Sequence, residues 1–210
     1  MRNSEYKICL LNGPPKCGKD TIASHLVPYL NFTSMKFASP IKRMVATLLD
    51  MSVSTLEQHK DNEFNILSKE EIHETEFGTK ITYGPKETPR KLLIRLSEEF
   101  LKPTYGPTYF GRLAAREVGR SSNSLIIFTD CGFTTECNTL IGQYGRANTL
   151  LCRLHRDGCN FENDSRSYLP DIAGANYDIQ NNGSIAVGTA LVARRIRDTF
   201  GIALNKEIEI

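Results

Sequence analysis

The stretch LLNGPPKCGKDT, residues 10–21, combines the residue types that bind phosphate groups in proteins. Gly13, Gly18 and Lys19 stand at the spacing G-x-x-x-x-G-K of a phosphate-binding loop. In such a loop backbone N–H groups surround a phosphate, glycines keep side chains out of its way, and the lysine brings a full positive charge to the β- and γ-phosphates. We therefore predict an ATP site formed by Gly13, Lys16, Cys17, Gly18, Lys19, Asp20 and Thr21.

One position of this loop departs from the usual pattern. The residue after the lysine is normally Ser or Thr, whose hydroxyl binds magnesium, whereas here Asp20 follows and the first hydroxyl belongs to Thr21. The helix dipole favours a carboxylate in the first turn of a helix, and carboxylate oxygens are ligands that Mg²⁺ prefers. We predict that Asp20 helps to place a magnesium ion that accompanies ATP, through a bridging water molecule.

The surroundings of the loop favour a nucleotide site over a chance match. At ordinary glycine and lysine frequencies, the spacing is expected by chance about 0.06 times in a chain of this length. The apolar run at residues 6–11 is typical of a strand, and the residues after Lys19 can begin a helix, so the loop lies at the first strand-to-helix turn. The alternative is a plain glycine-rich turn whose helix is capped by Asp20.

Short apolar runs alternate with amphipathic stretches along the whole chain, which predicts an α/β fold. The runs are continuous rather than alternating, as expected of parallel strands that are buried on both faces. We predict five strands, at residues 6–11, 32–37, 124–129, 149–154 and 177–180. Helices are predicted at residues 18–30, 40–50, 134–144 and 184–200. A length of 210 residues suits one domain, residues 1–210.

Two long connections interrupt this alternation. The first, residues 52–119, starts polar and then contains two predicted helices, at residues 89–102 and 109–119. Tyr109 and Phe110 begin the second of these helices, where they could stack on a base or pack in the core. The other connection, residues 156–174, is rich in Asp, Asn, Arg and Gly and is predicted to be a flexible surface loop or lid.

The bulk composition argues against partners other than small molecules. The net charge of +2 is too small to indicate binding to nucleic acid or to a membrane surface. No apolar run approaches the roughly 18 residues of a membrane span. The apolar stretch near the N-terminus, residues 8–11, is also too short for a secretory signal. We expect a cytoplasmic protein, and the sequence leaves a homodimer open.

The six cysteines form no C-x-x-C pair, so we expect them to be reduced and mostly structural. One cluster offers an alternative, because CRLHRDGC places Cys152, His155 and Cys159 close together along the chain. A zinc-bearing lid would need a fourth ligand, and none is evident nearby. The simpler interpretation is a strand cysteine followed by two loop residues.

The loop and its neighbours resemble those of phage deoxynucleoside monophosphate kinases. The specific similarities are the G-K-D-T variant at residues 18–21 and KFASPIK at residues 36–42. Weaker similarities follow in the family's order: PRKLLIRLSEEF, TYFGRLAARE, IIFTD, LHRDG and YDIQNNGS. The resemblance implies a three-layer P-loop kinase fold, with a five-stranded parallel sheet, a helical acceptor-binding insertion at residues 52–119 and a lid at residues 156–174. It also implies host cytoplasm, if the gene is carried by a phage.

The activity implied by the resemblance is transfer of the γ-phosphoryl group of ATP, bound with Mg²⁺, to a deoxynucleoside monophosphate. The product is the diphosphate, for deoxynucleoside triphosphate synthesis. Lys19, Arg156 and Asp130 are the implied catalytic residues, with Arg156 at the start of the lid and Asp130 just after a buried strand. Residues implied to bind the acceptor are Lys42, Arg90, Arg112, Arg116 and Arg166.

The sequence departs from the family at the acceptor and lid surfaces. The family commonly has Asp-x-Arg after the third strand, whereas here Gly132 stands two residues after Asp130. Leu-Gly-Thr is replaced by LSE at residues 96–98, and His-x-Ser-Glu by SRSY at residues 165–168. Two alternatives therefore stay open: a P-loop kinase of another small phosphate acceptor, and a nucleotide-binding protein without turnover.

Overall fold

The structure, a computed structural model, describes residues 5–63, 70–76, 78–83, 86–162 and 164–205. Its strands are β1 (Lys7–Asn12), β2 (Thr33–Met35), β3 (Glu70–Thr75), β4 (Gly78–Tyr83), β5 (Leu125–Cys131), β6 (Thr149–His155) and β7 (Ala175–Gln180). Its helices are α1 (Lys19–Leu26), α2 (Ser39–Leu48), α3 (Val53–His59), α4 (Pro89–Arg95), α5 (Lys102–Tyr105), α6 (Tyr109–Val118), α7 (Thr134–Tyr144) and α8 (Ile185–Phe200). The π-helical residues Leu96–Leu101 join α4 to α5.

A five-stranded parallel sheet in the order β2-β5-β1-β6-β7 confirms the predicted α/β fold. Ile8 and Leu10 of β1 belong to the core on one face of this sheet, and Cys9 and Leu11 to the core on the other. The first core includes residues of α6 and α7, and the second includes residues of α1 and α8. Because helices cover both faces, the central strands read as unbroken apolar runs.

The described residues fall into two compact units. One contains the sheet and comprises the residues up to Phe37 together with those from Pro107 onward. The other runs from Ala38 to Gly106 and has its own small core, formed by Val45, Ala46, Leu49, Leu56, Leu92, Leu93 and Leu96. It also contains the antiparallel hairpin of β3 and β4, which the polar sequence of this region did not reveal.

The boundaries of the second unit differ from the predicted insertion, because α6 belongs with the sheet. The buried face of α6 carries Ala114, Ala115 and Val118, and these residues join the core beside α7. Gly111 allows the two helices to approach closely, since a Cβ there would lie 2.7 Å from the Glu136 carbonyl oxygen. Small residues at these positions therefore allow α6 to pack on α7, so that α6 belongs to the unit that contains the sheet.

The stretch predicted as a flexible lid, residues 156–174, is anchored in its second half. Leu169 is 2% exposed, and its carbonyl oxygen accepts a hydrogen bond from Arg153 at 3.0 Å. The Tyr168 hydroxyl donates to the Leu154 carbonyl oxygen at 3.1 Å, and Ala173 is fully buried in the core. The polar composition of this stretch concealed these attachments, because most of them use backbone atoms.

No helix within the described part of the chain is long and apolar enough to cross a membrane.

The carboxylate of Asp178, in β7, links two side chains of β6. It receives two hydrogen bonds from Arg153, at 3.0 and 2.8 Å, and lies 2.6 Å from Nε2 of His155. The hydrogen bonds from Arg153, and then that from His155, lower the pKa of Asp178 from 3.8 to about 2. A lowered carboxyl pKa stabilises the fold above the unfolded-state pKa, and this contribution is lost as the pH falls through the folded-state pKa.

We therefore expect Asp178→Asn to lower the free energy of unfolding at pH 7 by up to about 1 kcal/mol, since the side chain is half exposed and solvent screens the pair. The difference from wild type should shrink as the pH falls from about 4 to 2. Urea unfolding over this pH range measures it, with the exposed Asp157→Asn as a control. A difference that does not change with pH would contradict the assignment.

Candidate functional site

The predicted phosphate-binding loop connects the central strand β1 to α1. Gly18 precedes the helix with a φ of 102°, which favours glycine, and a Cβ at this position would lie 2.7 Å from Nδ2 of Asn181. No side chain among the described residues caps the N-terminus of α1. The backbone N–H groups at the start of a helix bind anions through their own dipoles and the dipole of the helix.

Lys19, the first residue of α1, is folded back across the loop. Its side chain is only 7% exposed, and its ammonium group donates to the carbonyl oxygens of Gly13 at 2.7 Å and Pro14 at 2.6 Å. The loop thus places a full positive charge beside the helix N-terminus, at the carboxyl end of the sheet. Ligands of open α/β sheets bind at this end.

Asp20 is held from two sides. Its Oδ1 accepts a hydrogen bond from the Thr129 hydroxyl at 2.7 Å and lies 2.8 Å from the ammonium of Lys36. Burial alone would raise the pKa of Asp20, but the hydrogen bonds from Lys36 and Thr129 outweigh it, and the net pKa is lowered. The side chain is 66% exposed. Asp20 therefore presents an ionised carboxylate to solvent next to the loop.

Asp130, the predicted catalytic residue after the buried strand, lies near the end of β5. Its Oδ1 accepts a hydrogen bond from the backbone N–H of Phe37 at 2.8 Å, and the Phe37 ring stacks on Phe128 with centroids 4.7 Å apart. This contact ties β5 to the residues that follow β2. Asp130 is therefore fixed at the same end of the sheet as the loop, as its sequence position indicated.

Two asparagines that the sequence did not single out hold the loop in place. Asn12 is fully buried, and its Nδ2 donates to the carbonyl oxygens of Cys131 at 2.9 Å and Ser167 at 3.0 Å. Asn181 is 5% exposed, and its Nδ2 donates to the Cys17 carbonyl oxygen at 2.8 Å. A polar residue at the end of a strand is the sequence signal that could have identified both asparagines. Asn12 stands directly before Gly13, and Asn181 directly after β7.

Arg156, the residue predicted to act in catalysis from the start of the lid, lies beside the loop. It is exposed and lines a cleft of about 140 Å³ together with Gly18, Thr21 and Asn181. A larger groove of about 450 Å³ is lined by Thr33, Met35, Glu117, Arg120, Ser121 and Ser122. That groove lies toward the amino ends of β2 and β5. The smaller cleft therefore lies at the end of the sheet where the predicted loop is, and the larger groove does not.

Arg166 reaches the end of β5 from the stretch between β6 and β7. Its guanidinium donates to both carboxylate oxygens of Asp164, at 2.8 and 2.6 Å. The hydrogen bonds that Arg166 donates to Asp164 are the main cause that raises the pKa of Arg166, and the charge of Asp130 also contributes. An arginine therefore lies near Asp130 although none follows it in the sequence.

The other residues predicted to bind an acceptor are distributed over both units. Arg112 and Arg116 lie on the exposed face of α6, in the unit that contains the sheet. In the other unit, Lys42 pairs with Glu57 at 2.5 Å and Arg90 pairs with Asp61. Their role in acceptor binding stays a prediction. Phe110 of α6 is 4% exposed, which favours core packing for this ring.

The zinc-bearing lid considered from the sequence finds no support. All six cysteines are free, and Cys152 is buried in the core, where its hydrogen bond with Cys9 is the main cause that raises the pKa of Cys9. His155 lies against Asp178. Among the described residues, no group of three or more His, Cys, Asp or Glu side chains is arranged to hold a metal ion.

Comparison with known proteins gives only a distant likeness. No known protein family matches the sequence, and no curated protein does. Among solved structures, a similar one is the unliganded crystal structure of a sugar kinase from Janibacter sp. HTCC2649. It is 11% identical over 91% of this chain and 94% of that chain, with a TM-score of 0.47. A likeness at this level does not assign a function.

Proposed function

We propose that the chain is an ATP-dependent kinase that transfers the γ-phosphoryl group to a deoxynucleoside monophosphate. The observation that carries the proposal is the buried ammonium of Lys19, held at 2.7 and 2.6 Å from two loop carbonyl oxygens beside the N-terminus of α1. A buried ammonium group is costly unless it is paired and hydrogen-bonded, and here its hydrogen-bond partners include two neutral backbone carbonyl oxygens. A bound phosphate can take the place of the carbonyl groups as its partner.

The residues of the site act by alignment and charge neutralisation, which is most of what phosphoryl transfer requires. Lys19 and the N-terminus of α1 bind the β- and γ-phosphates of ATP. Arg156, on the rim of the cleft that contains Gly18 and Thr21, neutralises charge from the side of the lid. Asp130 orients the groups at the end of β5, where the acceptor approaches the γ-phosphate.

The side chains beside the loop fit a magnesium ion. Asp20 offers an ionised, exposed carboxylate, and the hydroxyl of Thr21 follows it, so both donors are the oxygen ligands that Mg²⁺ prefers. When bound with ATP, the ion would neutralise phosphate charge. The contacts from Lys36 and Thr129 keep the carboxylate ionised and hold it in one position beside the loop.

The choice of a deoxynucleoside monophosphate as acceptor rests on the resemblance of the sequence to phage kinases, in particular on G-K-D-T and KFASPIK. A kinase of another small phosphate acceptor is the second candidate, because LSE and SRSY depart from the family at the surfaces implied to bind the acceptor. A nucleotide-binding protein without turnover is the third.

A coupled assay for ADP release, with Mg²⁺ and ATP, separates the three candidates. The purified chain is tested against a panel of deoxynucleoside and ribonucleoside monophosphates and of sugar phosphates. We expect ADP release with at least one deoxynucleoside monophosphate. Release with a different acceptor supports the second candidate, and tight ATP binding without release supports the third.

Asp20→Asn tests the proposed metal position. Because the substitution removes the ionised oxygen but keeps the shape, we expect the Mg²⁺ concentration for half-maximal activity to rise about 10-fold, with a lower maximal rate. Asp198→Asn is the matched control, since it removes a carboxylate that pairs with Arg194 and Arg197 at the C-terminal end of α8, and its Mg²⁺ requirement should stay close to wild type. An unchanged requirement in Asp20→Asn would exclude this residue from the metal site.

A further inference from the structure

The glycine that replaces the expected arginine after Asp130 is covered by another arginine. A Cβ built on Gly132 would lie 2.5 Å from both Cβ and Cγ of Arg166 and 2.6 Å from its Cδ. Gly132 does not have a positive φ, so its backbone conformation does not require glycine. Glycine is nevertheless needed at position 132, because the Arg166 side chain occupies the space that a Cβ would fill and any larger residue would displace it.

Arg166 and Asp164 form a largely buried ion pair. The two guanidinium hydrogen bonds are 2.8 and 2.6 Å long, and the backbone N–H of Arg166 donates to the same carboxylate at 2.9 Å. The side chains of Arg166 and Asp164 are only 24% and 15% exposed. Each charge therefore depends on the other, since an unpaired charge in such surroundings would be costly.

The pair lies at the phosphate-binding loop. Asn12, the residue before Gly13, donates to the carbonyl oxygen of Ser167 and accepts from the backbone N–H of Leu169 at 3.0 Å. These bonds fix the chain next to Arg166 at the carboxyl ends of β1 and β5. The positive charge of Lys19 also contributes, after the hydrogen bonds from Arg166, to the lowered pKa of Asp164. Asp164 is thus the anionic partner of Arg166 at this end of the sheet.

We propose that Arg166 binds the terminal phosphate of ATP, and that the Asp164 carboxylate holds Arg166 in the unliganded protein and is exchanged for that phosphate. This inference rests on the proposed function, because it adds two residues to the same site. Carboxylate and phosphate oxygens accept the same pair of parallel N–H donors from a guanidinium group, so the exchange preserves the geometry. The sequence alone predicted Arg166 as an acceptor ligand. The hydrogen bond from Asn12, the residue before the loop, to the Ser167 carbonyl oxygen, next to Arg166, favours the donor phosphate instead.

Calorimetric titration with Mg²⁺ and a non-hydrolysable ATP analogue, in which an imido group bridges the β- and γ-phosphates, tests the exchange. Asp164→Asn removes the competing anion and should bind the analogue about 10-fold more tightly, with a smaller gain for ADP. Arg166→Lys loses the paired donors and should bind about 10-fold more weakly. Asp171→Asn is the matched control, because it removes a carboxylate paired with Arg153 in the same stretch and should leave affinity unchanged.

Thermal unfolding shows that each variant is folded and gives a second measurement. Asp164→Asn leaves Arg166 without its carboxylate, so the apo protein should melt at a lower temperature, and the analogue should raise its melting temperature more than it raises that of wild type. Unchanged or weaker binding of the analogue by Asp164→Asn would overturn the proposal, as would an equal gain for ADP.

A relocated arginine gives an independent test. Arg166→Gly should weaken binding of the analogue, and the double variant Gly132→Arg with Arg166→Gly should recover part of the loss, because the space over residue 132 is then open. Failure of the double variant to recover binding would count against a phosphate role for Arg166. If the wild type binds the analogue but shows no turnover, only the proposed reaction is contradicted. If turnover occurs but Asp164→Asn binds the analogue no more tightly than wild type does, only the exchange is contradicted.

Discussion

Lys19→Met is expected to lower kcat by about 10³-fold, because it removes the buried positive charge that the proposed site places beside the transferred phosphate. Methionine has a similar length and can fill the buried space of the lysine stem. The fold should therefore survive, although the carbonyl oxygens of Gly13 and Pro14 lose a donor. Steady-state kinetics in the ADP-release assay measure the effect.

Lys7→Met is the matched control for this variant. Lys7 is a half-buried lysine at the other end of β1, and its ammonium donates to Asn148 rather than to the loop. It should keep kcat within about two-fold of wild type and lose only a fraction of a kcal/mol of stability. A Lys19→Met enzyme that retains most of its turnover would mean that the loop does not bind the transferred phosphate.

Asn12→Leu is expected to lower the free energy of unfolding by about 3 kcal/mol. The two side chains have nearly the same shape, so the packing of β1 is little altered. The substitution removes the buried partner of three backbone groups, the carbonyl oxygens of Cys131 and Ser167 and the N–H of Leu169. Each group left without a partner costs about 1–3 kcal/mol, part of which relaxation recovers.

Asn123→Leu is the control for Asn12→Leu. Asn123 is half-buried at the other end of the sheet, and its Nδ2 donates to the Thr33 hydroxyl at 3.1 Å. The loss there should be below about 1 kcal/mol. Urea unfolding at neutral pH measures both variants. If Asn12→Leu were no more destabilising than Asn123→Leu, the buried amide would not be what holds residues 165–169 to the loop.

The sheet and its helices follow from short-range patterns in the sequence. The runs YKICLL and SLIIF lie within β1 and β5 or directly before them, because a strand buried on both faces needs no alternation of polar residues. The loop between β1 and α1 is equally local, since its glycines, its lysine and the start of the helix lie within a few residues of one another. For such features the nearest neighbours along the chain decide the conformation.

The sequence was less informative about the insertion and the lid. Polar composition concealed the hairpin of β3 and β4, and it suggested a mobile lid where Leu169 and Ala173 are buried. The placement of α6 depended on small residues that are compatible with either unit. In each case the outcome depends on the surface against which a segment packs, and that surface is formed by distant parts of the chain.

The sequence by itself therefore determined the α/β fold, and it predicted a phosphate-binding loop between β1 and α1 with Lys19 as its cation. Only the tertiary structure decided that Thr129 orients Asp20, that Asn12 secures the loop, and that Arg166 fills the space left by Gly132. The first two contacts join residues 109 and 119 positions apart. Contacts of this kind leave no periodic pattern, because they form only after the sheet has brought the carboxyl ends of its strands together.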